Sequence, residues 1–151
     1  MKRLFVITVA LVLAALCGFA QVTVSTAVEP ALNAPARFGV SAAVSATLPP
    51  TWLDGWDEGR NSVSIRYGSG RTILGGVARN FVDFLPGLSL VGDVQAGTTG
   101  GRGVILYGAA VATDLGRGYS VTYGAHINKI AGRPMYPSAY VSIGYTFGGW
   151  R

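Results

Sequence analysis

The chain has 151 residues, half of them hydrophobic, with 22 glycines and only 13% charged residues. That length argues for one domain, and the charged fraction is about half that of an ordinary soluble domain. The formal charge of +5 includes Lys2 and Arg3; the remaining ten basic and seven acidic residues are scattered, which excludes a nucleic-acid footprint.

Residues 1–20, MKRLFVITVALVLAALCGFA, read as a cleaved secretory signal peptide. Lys2 and Arg3 give the basic start, an apolar run follows from Leu4 to Leu16, and Gly18 and Ala20 stand at the two positions a signal peptidase reads. The run is short for a membrane span. Cys17 is the one cysteine, so a mature chain beginning at Gln21 has no disulfide and owes its stability to something else. The expected domains are therefore a signal peptide over 1–20 and a folded domain over 21–151.

After residue 20 the helical period is missing and period-two alternation recurs. In 21–29, Val22, Val24, Thr26 and Val28 oppose Gln21, Thr23, Ser25 and Ala27. The stretch 37–48 is the cleanest, with Phe38, Val40, Ala42, Val44, Ala46 and Leu48 on one face and Gly39, Ser41, Ala43, Ser45 and Thr47 on the other. In 62–68, Val63, Ile65 and Tyr67 oppose Ser62, Ser64 and Arg66. Residues 72–82 are strand-like in composition with poorly separated faces. In 88–97, Leu88, Leu90, Val94 and Ala96 oppose Ser89, Asp93 and Gln95, and 104–113 is apolar on both faces. In 119–128, Tyr119, Val121, Tyr123, Ala125 and Ile127 oppose Ser120, Thr122, Gly124, His126 and Asn128. The eighth stretch, SAYVSIGYTF at 138–147, sets Ala139, Val141, Ile143, Tyr145 and Phe147 against Ser138, Tyr140, Ser142, Gly144 and Thr146. Segments rich in Gly, Pro, Asn and Asp at 29–36, 49–61, 68–71, 83–87, 97–103, 114–118 and 128–137 read as turns. Eight strands with no helix between them predict an all-β fold, a single antiparallel up-and-down barrel.

The small, polar face decides which side meets water. A soluble barrel would put Lys, Glu, Arg and Asp there. On the clear strands that face has only Arg66 and Asp93, with Glu29 and Arg37 at strand ends. It suits the crowded interior of a small closed barrel, with the greasy face turned to lipid and all backbone groups satisfied by closure. With both ends of the barrel domain on the periplasmic side, Trp52, Trp56, Phe81, Phe84, Tyr119, Tyr145, Phe147 and Trp150 gather at that edge. Phe38, Tyr67 and Tyr136 fall near the other, as an aromatic girdle would. The 13-residue segment 49–61 is long for a periplasmic link.

Over residues 21–151 this pattern resembles the small eight-stranded outer-membrane β-barrels, the OmpA-like and opacity-type group. The end of the chain, from Tyr140 to Phe147, is similar to the C-terminal strand by which the assembly machinery of the outer membrane recognises that group. Here Gly148, Gly149, Trp150 and Arg151 follow the aromatic. The resemblance implies export to the outer membrane of a Gram-negative-type envelope, with membrane lipid and the assembly machinery as partners. It also implies a structural or surface-interaction role without enzymatic activity.

Two other functions remain open. His126 with Asn128 two residues on resembles the His-x-Ser pair of outer-membrane lipid A deacylases, but an amide cannot serve as the nucleophile, and no acidic residue follows to orient the ring. A soluble lipocalin-like ligand-binding barrel would need a charged exterior. No phosphate loop or cluster of metal ligands is evident, so no cofactor is expected. The candidate site is a polar network in the lumen made by Arg66, Asp93, Gln95, His126 and Asn128, holding the barrel shut.

Overall fold

The computed structural model describes residues 21–48 and 60–147. The expected signal peptide, Trp52, Trp56 and the Trp150 tail lie outside them. Eight strands run β1 Val22–Ala31, β2 Ala34–Thr47, β3 Asn61–Gly68, β4 Thr72–Leu85, β5 Leu88–Thr99, β6 Arg102–Gly116, β7 Tyr119–Ile130 and β8 Tyr136–Phe147. Each pairs antiparallel with the next, and β8 closes on β1. No strand edge is left open, so every ladder group of the wall is paired.

The register fixes the shape. Followed from Ser25 through Ala43, Arg66, Leu74, Gly97, Val104 and Ile130, the ladder returns to β8 at the level of Pro134. Ser25 itself faces Gly144 on that strand, so one circuit advances ten residues. Ten residues over eight strands tilts the strands roughly 40° and gives a backbone cylinder roughly 16 Å across, room for packed side chains.

The alternation of the sequence is the alternation of the wall. Val24, Val28, Val40, Tyr67, Val94, Tyr107, Val141 and Ile143 face outward and are exposed, while Ser41, Arg66, Gln95, His126 and Ser138 are buried inside. The two ends differ. One, the terminal end, holds Gln21 and Phe147; the other, the turn end, holds the four tight connections. At the turn end Gly70 and Arg71 both have positive φ (71° and 59°), the two-residue hairpin geometry that matches strand twist.

The strands outrun the periodic segments at several points. Glu29 and Pro30 extend β1, Asp83–Leu85 extend β4, and Asn128–Ile130 extend β7, although all were expected in turns. Tilted strands in a staggered cylinder keep finding partners past the last clean alternation, and β4 does so by a register shift between Asn80 and Val82. That shift also blurs the two faces of 72–82. Tyr136 corrects the girdle: it turns inward, packs against the apolar interior and donates its hydroxyl to the Leu32 carbonyl at 3.3 Å. Its parity with Ser138 and Tyr140 demands this.

Candidate functional site

The lumen is stratified. Next to the turn end, the inward side chains of Leu74, Val104, Leu106 and Ile130 pack with Leu32 into an apolar plug. This explains why 104–113 is apolar on both faces: Val104 and Leu106 fill the cylinder while Ile105 and Tyr107 cover its outside. Toward the terminal end lies a cavity of about 560 Å³ walled mainly by small polar groups, among them Thr23, Ser25, Ser45, Ser62, Thr122 and Ser142. Charged groups occupy the layer between.

That layer draws on five strands. Arg66 of β3 donates through Nη1 to Glu29 Oε1 of β1 at 3.0 Å, with both side chains under a tenth exposed. His126 of β7 has its Nε2 3.1 Å from Asp93 Oδ2 of β5, and its Nδ1 3.7 Å from Glu29 Oε2. Gln95 Nε2 donates to the same Asp93 oxygen at 2.6 Å. The His126 ring stacks on Tyr140 of β8, ring centroids 4.5 Å apart, and the Arg66 guanidinium lies 5.7 Å from the centre of the same ring. Beside this group Asn128 Nδ2 donates to Ser138 Oγ at 2.8 Å and to the Tyr136 carbonyl at 3.3 Å. Two carboxylates and one guanidinium leave one negative charge, which a protonated imidazole between the carboxylates neutralises.

All five expected lumenal residues face the interior, but their grouping differs from the expectation. Arg66 pairs with Glu29, and Asp93 with His126 and Gln95; Asn128 belongs to a separate hydrogen-bonded pair. The expectation that no carboxylate orients His126 is overturned, because Asp93 and Glu29 reach it from other strands. Glu29, Tyr140 and Ser138 were missed. Parity would have found Glu29, which continues the inward series Gln21, Thr23, Ser25, Ala27. Arg79, whose facing the sequence leaves open, sits on an outward row: its ladder partners are Asn61 and Gly92, and its Nη1 lies 3.4 Å from Asn61 Oδ1.

Chemically the arrangement is a lock. Both His126 nitrogens face carboxylates, the side chain is fully enclosed, and the one hydroxyl directly across the ladder, Ser138, accepts from Asn128. A general base needs a free nitrogen within reach of the proton it takes, and this ring has none to offer.

No protein-family model matches the chain, and no curated protein matches it. A solved structure described as "De novo design of transmembrane beta-barrels" superposes with a TM-score of 0.57 at 10% identity, covering 84% of this chain and 95% of the designed one. At that identity the likeness is one of fold: a closed antiparallel barrel of the transmembrane type.

Proposed function

We propose that this protein is an outer-membrane β-barrel, inserted with its terminal end in the periplasm and its turn end outside, acting as a closed structural or surface-interaction element and not as an enzyme. The observation that supports the reading is the inversion of the usual burial. Among the described residues, large hydrophobic side chains such as Phe38 (80% exposed), Val40 and Ile143 crowd the outside, while Glu29, Arg66 and His126 are buried. A soluble monomer seldom shows so continuous an apolar surface; hydrocarbon around the cylinder makes it favourable. Exposed aromatics at the terminal end (Phe81, Phe84, Tyr119, Tyr145 and Phe147) suit the periplasmic interface. The plug and the charged layer suit a barrel that does not conduct. The enclosed His126 speaks against lipid A deacylase chemistry. Phe147, outward and 54% exposed at the end of β8, is the aromatic by which the assembly machinery would recognise the chain.

The test is fractionation of expressing cells, followed by gel migration with and without boiling. The protein is expected in the outer-membrane fraction, with a folded form whose mobility changes on heating. A mature chain that stays soluble without detergent overturns the proposal.

A further inference from the structure

Two features outside the lumen meet at one place. The first is charge. Arg37, Arg71, Arg102, Lys129 and Arg133 stand at the turn end, and among the described residues no exposed acidic side chain accompanies them there; Asp83 and Asp114 lie toward the terminal end. Three of the five cluster on neighbouring turns. Arg102 and Arg133 line a small cavity of about 100 Å³ with Gly100, Thr99 and Asn33, floored by Leu32 and Ile130 of the plug. Lys129 stands exposed beside them, its Nζ 3.1 Å from the Arg133 carbonyl.

The second is relief on the outer wall. Gly92, Ala109, Ala125 and Ala139 are successive ladder partners across β5, β6, β7 and β8. The row on one side is Val94, Tyr107, Ile127 and Pro137; the row on the other is Leu90, Val111, Tyr123 and Val141. A line of small residues between two lines of large ones is a trench, part of a groove of about 900 Å³ on the outside of the barrel. Strand tilt slants it from the turn end at β8 down toward β5, where the Phe81 ring lies over Gly92 and closes it. Its upper end abuts the cations, because Lys129 is the next outward residue after Ile127 on β7.

We propose that this is a binding site for one phosphorylated lipid of the outer leaflet, its phosphate held by Arg102, Lys129 and Arg133 and one acyl chain lying in the trench. The inference rests on the outer-membrane reading and goes beyond it. A bare apolar wall contacts lipid anywhere, whereas a cation cluster at the mouth of a trench selects an anionic headgroup joined to a straight chain. Guanidinium and ammonium groups at an interface attract phosphate, and the trench lets a chain touch wall on three sides, gaining dispersion contacts a flat surface lacks.

The test uses the mature chain folded in a neutral detergent, with diphosphoryl lipid A as the probe and phosphatidylcholine as the reference, bound lipid being counted by native mass spectrometry. One lipid A is expected to stay bound where phosphatidylcholine does not. Replacing Arg102→Gln, Lys129→Gln and Arg133→Gln together is expected to weaken retention roughly 100-fold. Filling the trench with Ala109→Leu and Ala125→Leu is expected to weaken it with the cations intact. Both variants alter the surface, and heat-dependent gel mobility verifies that each has folded. Equal retention by the wild type and the triple variant overturns the site, as does a wild type that binds a second copy of itself there instead of lipid. If the trench variant retains lipid A as the wild type does, the acyl half of the proposal falls. A wild-type chain with no heat-dependent mobility would instead show that the underlying membrane-barrel reading had failed.

Discussion

His126 and Tyr140 lie face to face inside the barrel, their ring planes 11° apart, and each has a glycine as its ladder partner. Tyr140 is opposite Gly124, where an added Cβ would run into the phenol ring. His126 is opposite Gly108, where a Cβ would come 2.6 Å from His126 Cδ2. The two glycines are the recesses into which the rings lie flat, and the stack orients the imidazole between Asp93 and Glu29.

Gly124→Ala should therefore displace Tyr140 and cost about 1–3 kcal/mol, the usual penalty for overpacking. Gly103→Ala, with nothing near the new methyl, should stay within about 0.5 kcal/mol of wild type. Urea unfolding in lipid vesicles measures both, and equal midpoints would refute the role assigned to the stack.

Removing Glu29 strands the Arg66 guanidinium beneath the plug. Glu29→Ala should cost about 3–5 kcal/mol, as losing one member of a buried pair does, and the double change Glu29→Leu with Arg66→Leu should cost less than the single one. The same unfolding assay ranks them. A double variant less stable than Glu29→Ala would mean that the pair contributes more than its charge balance.

On the outer wall, depth sets the penalty for charge. Val94→Arg, midway along β5, is expected to lose about 2–4 kcal/mol, and Phe38→Arg, at the turn end of β2, about 0–1 kcal/mol. Insertion yield into preformed vesicles, read as the heat-sensitive gel species, compares the two. Equal yields would argue against hydrocarbon around the barrel.

In planar bilayers the wild type should give no stepwise conductance, because Leu74, Leu106 and Ile130, each almost wholly buried, fill the cylinder at the turn end. Regular channel openings would show that the plug moves aside.

Much of this architecture is written in the sequence as parity. Eight stretches alternate, and the odd or even sense of each already sorts Val141 outward and Ser138 inward. Parity applied without exception would also have turned Tyr136 inward and put Glu29 in the lumen. What parity cannot supply is azimuth. That Arg66 meets Glu29 while Asp93 meets His126 depends on the ten-residue stagger, which accumulates over eight registers and is invisible in any one of them. The trench was hidden for the same reason: Gly92, Ala109, Ala125 and Ala139 are unremarkable singly and become a feature only when four strands are laid side by side. Arg79 escaped assignment because the shift after Asn80 disturbs the pattern where its facing would be read.

Strand number and stagger together set the bore of a barrel, so exchanging a lining residue cannot stretch the wall; it can only empty or refill what the wall encloses. The Ser- and Thr-lined chamber and the aliphatic stopper above it are thus independent fittings in a fixed casing. Trimming Leu74 and Leu106 while leaving the ladder untouched would lengthen the chamber toward the far mouth without altering its diameter, a route from sealed post to conduit that needs no new fold.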